Sequence, residues 1–281
     1  MAIPPTNVTE GSTTTNPISF ITANYVAREL GYNMTGGWGQ GDHATNKHFR
    51  PIETFAGRFE ELLRDVRAMG FEAIDLWNAH LNWAWATDAH IATARELLAK
   101  YNLPVLSLAG GFGATPQEFE AACRLAAALG AGILAGSTPL LAKDRAAVVA
   151  ILKQYDVKLG IENHPGEKTP ADVLRQIGDG GDGRLGTAVD TGWWGTQGYD
   201  AARAIEELGE HILCVHLKDV LAAGAHETCR YGQGVVPIEA CVRTLQRMGY
   251  RGSYGVEHEP EHYDPTEDCR AMLQMLRGWL Q

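Results

Sequence analysis

The sequence predicts a single (β/α)8 TIM barrel over residues 17–281, and three observations favour this fold class. Short apolar runs alternate eight times with helical patterns, and no change in composition divides the series. Such an alternation is typical of a parallel sheet covered by helices. The length of 281 residues also suits one barrel, whose usual size is about 250 residues.

The eight predicted strands are nearly continuous apolar runs, which is the pattern of parallel strands buried on both faces. They cover residues 18–23, 71–77, 105–109, 132–136, 158–162, 185–190, 212–217 and 253–257. An open, doubly wound sheet is the main rival fold. It is disfavoured because the GxGxxG string from Gly178 to Gly183 follows a predicted helix and precedes a predicted strand. A dinucleotide-binding motif has the reverse order.

Each predicted strand is followed by a predicted helix. The helices cover residues 54–69, 88–100, 116–129, 143–155, 170–177, 199–208, 237–248 and 265–280. Pro116 and Pro170 each follow a threonine, which is the arrangement of an N-cap and a first-turn proline. Gly70 and Gly130 stand where a left-handed residue ends many helices. The glycine-rich residues 36–46 and the segment after the seventh strand are expected to be long loops.

Composition and charge exclude several classes of function. The formal net charge is -10 and no cluster of lysine or arginine interrupts it, so no nucleic-acid partner is expected. No apolar run approaches the ~20 residues of a membrane span. Residues 1–16 are polar, lack the apolar core of a signal peptide and are expected to form a flexible leader. The five cysteines include no CxxC pair, which is typical of reduced thiols in a cytoplasmic protein.

Four metal-competent side chains lie at or near the carboxyl ends of four consecutive predicted strands: Glu162, Asp190, His216 and Glu257. Taken singly, each residue type at such a place is more often a helix cap, a loop residue or a core histidine. In a barrel, however, these strand ends meet at one mouth. Three carboxylates converging there would repel one another and raise their own pKa values. A divalent cation removes that conflict, and this ligand set favours Mn²⁺, Mg²⁺ or Co²⁺ over a structural zinc.

The segments "GIENHP", "AVDTGWW", "VHLKDV" and "YGVEHEP" occur in this order. Together they resemble the xylose isomerase-like TIM-barrel superfamily of sugar isomerases and epimerases, over most of the chain from about residue 18. The resemblance implies one cation, Mn²⁺ first and Mg²⁺, Co²⁺ or Zn²⁺ as alternatives, bound by Glu162, Asp190, His216 and Glu257. It also implies that Glu162 and Glu257 act as acid and base on opposite faces of the substrate.

Two positions depart from the pattern of the epimerases that the chain resembles. These enzymes commonly have a histidine three residues after the metal-binding aspartate, where this chain has Trp193. They also tend to have an arginine six residues after the metal-binding histidine, where this chain has Ala222. The contacts with the substrate are therefore expected to differ, which puts simple epimerisation of a free ketose in doubt.

Further site residues are predicted beside these four. His164 shares the strand face of Glu162 and is a catalytic candidate, with a hydrogen bond to loop backbone as the alternative role. Lys218 shares the face of His216 and could stabilise an oxyanion, with a salt bridge to a carboxylate as the alternative.

Four aromatic side chains are predicted to bind the substrate, because their rings can stack on a sugar or contact its hydroxyl groups, with simple packing as the alternative for the tryptophans and an acid role as the alternative for His80. They are His80, Trp77, Trp193 and His226. Glu259 shares the face of Glu257 and is expected to support it.

Together with these residues, the resemblance implies a metal-dependent enzyme that forms an enediolate from a keto sugar or polyol and so isomerises or epimerises it. The alternative is a lyase that uses the same enediolate for β-elimination, such as a dehydratase or a deglycosidase of 3-oxo-glycosides or C-glycosides. An oligomer is expected, and a deglycosidase would add a small second subunit. An endonuclease IV-like nuclease and a non-catalytic sugar-binding barrel are two further hypotheses.

Overall fold

The computed structural model of the protein describes residues 16–281. Within this range, eight parallel strands form a closed barrel in the order β1-β10-β7-β6-β5-β4-β3-β2, so the predicted fold class is confirmed. The strands are β1 (Ile18–Ile21), β2 (Ile74–Trp77), β3 (Val105–Gly111), β4 (Ile133–Ser137), β5 (Lys158–Glu162), β6 (Leu185–Asp190), β7 (Ile212–Leu217) and β10 (Tyr254–Val256). The predicted leader lies outside the described residues, except for Asn16. The side-chain amide of Asn16 donates hydrogen bonds to the carbonyl oxygens of Tyr250 (3.0 Å) and Gly252 (2.8 Å).

Helices surround the barrel and connect successive strands. They are α1 (Trp38–Phe49), α2 (Ile52–Met69), α3 (Asp88–Tyr101), α4 (Pro116–Leu129), α5 (Leu140–Lys143), α6 (Arg145–Tyr155), α7 (Pro170–Ile177), α8 (Thr191–Thr196), α9 (Ala201–Leu208), α10 (Ile238–Arg247) and α11 (Thr266–Trp279). Thr115 caps α4 as predicted, since its side chain accepts a hydrogen bond from the Glu118 amide. Among the described helices, none combines the length and the apolar composition that a bilayer crossing requires.

The core lies between the outer face of the barrel and the helices that cover it. In α2 the buried side chains Phe55, Phe59, Leu62 and Val66 recur at three- to four-residue intervals, which places them on one helix face. Burial of such a face removes apolar surface from water and accounts for most of the stability of an amphipathic helix.

The glycine-rich residues 36–46 are not the long loop that was predicted, because α1 begins at Trp38. Glycine weakens an isolated helix, so the local pattern favoured a loop. The reason for the glycine is tertiary: a Cβ atom at Gly41 would lie 2.3 Å from the carbonyl oxygen of Val26. Only glycine allows α1 to pack this closely on the segment that follows β1.

The predicted loop after β7 also contains regular structure. Residues Asp219–Val220 (β8) and Thr228–Cys229 (β9) form a two-stranded antiparallel ribbon. The buried carboxylate of Asp219 accepts hydrogen bonds from the backbone amides of Gly232 (2.9 Å), Gly234 (3.1 Å) and Val236 (3.0 Å). This carboxylate therefore fixes the path from the ribbon to α10.

Candidate active site

The barrel brings the ends of its later strands to one pocket of about 400 Å³. Glu162 ends β5, His216 lies on β7, and Glu257 follows β10. Parallel pairing aligns these strands, so their carboxyl ends lie at the same mouth of the barrel. All three side chains line the pocket.

Glu162, His216 and Glu257 form a compact cluster in which each residue offers one ligand atom within 4.8 Å of the others. The Nδ1 atom of His216 lies 3.6 Å from Oε1 of Glu162 and 3.5 Å from Oε2 of Glu257. Both ring nitrogens of His216 and Oε2 of Glu257 are buried and make no hydrogen bond with described residues. Buried polar atoms normally have partners. Two carboxylates and an imidazole with unsatisfied atoms fit a divalent cation.

Asp190, the fourth predicted ligand, is not part of this compact cluster. Its Oδ1 accepts hydrogen bonds from the amides of Gly192 (2.7 Å) and Trp193 (3.3 Å), so it caps the helix α8 that the sequence analysis did not predict. Its Oδ2 accepts one from the ammonium of Lys218 at 2.9 Å. Asp190 nevertheless pairs in register with His216 on the neighbouring strand.

Lys218 is the centre of a buried ion network beside the cluster. Its ammonium lies 2.9 Å from Asp190, 2.9 Å from Glu257 and 3.3 Å from Glu259. Burial by itself would lower the pKa of Lys218, but the three carboxylates raise that pKa well above its ordinary value. The side chain therefore stays charged. Gly192 makes room for it, because a Cβ atom there would lie 2.7 Å from the Lys218 stem.

The two glutamates of the cluster differ in proton affinity. Burial raises the pKa of Glu257 to about 8, with Asp190 and Glu259 adding to the effect and Lys218 opposing it. Burial also raises the pKa of Glu162, but His164 and His216 outweigh it and the pKa falls to about 2. Glu162 is therefore the more acidic carboxylate of the cluster, and burial favours the protonated form of Glu257.

Aromatic rings form two facing parts of the pocket wall. Trp77 ends β2 and its ring lies 5.1 Å from that of Trp38. Trp193 follows β6, on the opposite side of the barrel, and stacks on His226 at 3.5 Å with an angle of 6°. A hydrogen bond of 2.7 Å between Thr196 Oγ1 and Nδ1 of His226 holds that ring.

Two histidines predicted for the site have different positions. His164 lines the pocket, with its Nε2 atom 3.7 Å from Oε2 of Glu162 and its side chain 43% exposed. His80 does not line the pocket. Its buried ring packs edge-on against Phe49 (4.8 Å) and Trp77 (5.4 Å), so it lies behind Trp77 as seen from the pocket.

The sequence analysis missed part of the lining. Trp38 was included in a predicted loop and given no role, yet its indole nitrogen donates a hydrogen bond of 3.2 Å to Glu259. Gly110, Gly111 and Ser137, at the ends of β3 and β4, also line the pocket. Small residues at strand ends carry no chemical signal that would have distinguished them from ordinary turns.

Comparison with known proteins identifies the family of this barrel. The model of the family described as xylose isomerase-like TIM barrel matches residues 63–279. The chain belongs to this family. The resemblance predicted from the four strand-end segments is therefore confirmed.

Proteins similar to this chain include a named epimerase, an epimerase-like protein and a probable dehydratase. L-ribulose-5-phosphate 3-epimerase UlaE of Escherichia coli is 37% identical over 71 residues, which cover 25% of this chain and 24% of the relative. The structure of a D-tagatose 3-epimerase-like protein has a TM-score of 0.65 at 20% identity, covering 77% of this chain and 91% of that one. The probable 3-DHS dehydratase AsbF of Bacillus anthracis has a TM-score of 0.65 at 14% identity, covering 93% and 98%. At these identities the structural matches establish the shared fold.

Proposed function

We propose that this protein is a divalent-metal-dependent sugar isomerase or epimerase that transfers a proton at the carbon next to a carbonyl group. The observation that carries the proposal is the cluster of Glu162, His216 and Glu257 in the pocket. Both ring nitrogens of His216 and Oε2 of Glu257 are buried there and make no hydrogen bond with the described residues. The name of UlaE as an epimerase and the likeness to a D-tagatose 3-epimerase-like protein support it. The substrate is proposed to be a keto sugar or polyol.

The cation would be held by Glu162, His216 and Glu257, with Asp190 as the proposed fourth ligand. Asp190 is included because it is the register partner of His216. Mn²⁺ is the first candidate, and Mg²⁺, Co²⁺ and Zn²⁺ are the alternatives for this oxygen-rich set. When bound, the cation would supply Lewis-acid stabilisation to the oxygens of a substrate that is losing a proton.

The protein groups would move and hold the protons. Glu162 and Glu257 stand on strands separated by β6 and β7 in the barrel, so they are proposed to exchange protons with opposite faces of the reacting carbon. Lys218, 2.9 Å from Glu257, is proposed to fix that carboxylate and to favour negative charge nearby. His164 is proposed to assist Glu162.

The aromatic residues would position the sugar. Trp77 and Trp193 are proposed to cover its apolar faces. His226 is proposed to contact a hydroxyl group through its Nε2 atom, which is buried and makes no hydrogen bond within residues 16–281. Because His80 packs behind Trp77, we propose that it acts by supporting that ring.

A lyase is the second candidate function. It would begin with the same proton abstraction and then expel a β-substituent, as a dehydratase or a deglycosidase does. The stack of Trp193 on His226 favours it, because a tryptophan there replaces the histidine common in the epimerases that the sequence resembles. The likeness to the probable dehydratase AsbF is consistent with this candidate.

Exchange of protons with solvent tests the function. The Mn²⁺-loaded protein is incubated in D₂O with a panel of keto sugars and 3-oxo-glycosides, and the products are followed by NMR. Deuterium next to the carbonyl with an intact carbon skeleton supports isomerisation or epimerisation, whereas loss of water or of an aglycone supports the lyase. Glu162→Gln and Glu257→Gln should abolish exchange, while Glu261→Gln, an exposed neighbour, should not. Wild-type rates in both glutamate variants would contradict the mechanism.

We also propose a cytoplasmic location and an oligomeric state. The five cysteines are all buried and unpaired, which suits a reducing compartment. No nucleic-acid or membrane partner is proposed, and a small second subunit is proposed only for the deglycosidase alternative. Light scattering on the purified chain measures the oligomeric state directly.

A further inference from the structure

Lys218 and the first amides of α8, which could bind an anion at the mouth of the barrel, are already paired with carboxylates of the chain itself. Lys218 is the sole lysine among the described residues that line the pocket, and no arginine lines it. An ammonium group has three hydrogen atoms to donate. Those of Lys218 face Asp190, Glu257 and Glu259 at 2.9, 2.9 and 3.3 Å, and its side chain is only 3% exposed. The ammonium of Lys218 is therefore enclosed by carboxylates of the chain and is nearly inaccessible to a phosphate.

Backbone amides are the other common phosphate ligands, at helix N-termini and in turns. The first amides of α8, those of Gly192 and Trp193, donate to Oδ1 of Asp190. The amides of Gly232 and Gly234, which follow the ribbon after β7, donate to Oδ2 of Asp219. In both places a carboxylate of the chain holds the position that a phosphate would take.

The rest of the lining opposes an anion and suits an uncharged ring. Glu162, Glu257 and Glu259 all line the pocket, so a phosphate would meet like charges that oppose its binding. The walls formed by Trp38 with Trp77 and by Trp193 with His226 offer flat apolar faces. Such faces match the C–H surfaces of a sugar ring.

We infer that the pocket accepts an uncharged, unphosphorylated keto sugar and excludes sugar phosphates, and that Glu259 is a specificity-determining residue because its carboxylate lines the pocket and lies 3.3 Å from the ammonium of Lys218. The inference rests on the proposed function. It separates this protein from the relative UlaE, whose name specifies a phosphorylated pentulose. Glu259 is held for this role by the indole of Trp38 at 3.2 Å.

Matched ligand pairs test the inference. The Mn²⁺-loaded protein is titrated with L-ribulose and L-ribulose 5-phosphate, and with D-fructose and D-fructose 6-phosphate, while the fluorescence of the pocket tryptophans is recorded. The free ketose of a pair should bind at least about tenfold more tightly than its ester, since like-charge contacts oppose the ester. Tighter binding of either ester would overturn the inference.

Inorganic phosphate is a second probe, which gives a result even when neither member of a pair binds. Titration calorimetry of the protein without Mn²⁺ should detect no phosphate binding to the wild type. Glu259→Gln should gain binding, because it removes one negative charge from the lining beside Lys218, and the control Glu261→Gln should not. Phosphate binding to the wild type, or the absence of any gain in Glu259→Gln, would overturn the inference.

These outcomes can be told apart from failure of the proposed function. Turnover of a sugar phosphate in preference to its free ketose would contradict the inference and leave the isomerase or epimerase function standing. Binding of the free ketose without any exchange of deuterium or formation of product would support the inference and contradict the proposed function.

Discussion

The ammonium of Lys218 lies 2.9 Å from Oδ2 of Asp190, and the two side chains are 3% and 0% exposed. The other oxygen of Asp190 caps helix α8, which carries Trp193. The same lysine also contacts Glu257 at 2.9 Å. The buried pair of Lys218 and Asp190 therefore connects Glu257 of the cluster to the part of the pocket wall formed by Trp193.

Removal of this lysine should destabilise the fold. We expect Lys218→Met to lower the free energy of unfolding of the metal-free protein by about 3–5 kcal/mol, because it leaves buried carboxylates uncompensated. Urea denaturation measures the change. Arg203→Met is the control: its exposed pair with Glu207 should contribute no more than about 0.5 kcal/mol. Equal effects of the two substitutions would show that the buried network is not held together by Lys218.

Metal affinity should depend on the compact cluster. We expect Glu162→Gln, His216→Gln and Glu257→Gln each to weaken Mn²⁺ binding by more than about 100-fold, which exceeds the usual effect of changing a residue that only supports a ligand. Titration calorimetry measures the affinity. His164→Gln is the control, because its ring is partly exposed and 3.7 Å from Glu162, and it should change affinity by less than about tenfold. Stoichiometric, tight binding in all three cluster variants would place the metal elsewhere.

The contact between Thr196 and His226 should affect substrate binding more than turnover. Thr196→Val keeps the shape of the side chain but removes two contacts of Oγ1: the 2.7 Å hydrogen bond that orients the His226 ring on Trp193 and a 3.1 Å hydrogen bond to the carbonyl oxygen of Ala225. We expect KM to rise by about three- to tenfold with kcat nearly unchanged, because loss of one hydrogen bond costs about 1 kcal/mol. Steady-state kinetics on the identified substrate measure both constants, and Thr54→Val, on the exposed side of α2, serves as control. A fall in kcat at constant KM would assign His226 to the chemical step instead.

Buried His80 should make stability depend on pH. Burial, assisted by Arg28 and His48, lowers the pKa of His80 to about 3, whereas an unfolded histidine has a pKa of about 6.5. Between these values the unfolded state binds the additional proton, so stability is full above about pH 6.5 and falls as the pH decreases towards 3.

The size of this effect can be isolated by substitution. The contribution of His80 should reach about 1.4 kcal/mol per pH unit inside that window. Denaturation curves at several pH values should show a shallower dependence in His80→Phe than in the wild type. Parallel curves for the two proteins would show that His80 ionises normally in the folded state.

The repeating pattern of the sequence was enough to predict most of the fold. Three elements begin and end at the residues predicted from the sequence: the strands that end at Glu162 and Asp190, and helix α7. They could be predicted because burial of parallel strands and amphipathic helices produces a local periodic pattern of apolar residues. Helix α1 was not predicted, because its glycines indicate a loop when only neighbouring residues are considered. Gly41 is required instead by close packing against Val26, which is distant in the sequence.

The sequence by itself determined the barrel and which strand ends carry Glu162, Asp190, His216 and Glu257, since strand order and side-chain alternation follow from local pattern. Only the tertiary structure decided how these groups are paired. In the folded chain Asp190 pairs with Lys218 and caps the N-terminus of α8. Glu162, His216 and Glu257 instead form the compact cluster in the pocket. Pairing of charges depends on distances of a few ångströms between segments far apart in the chain, and no local pattern of residues records those distances.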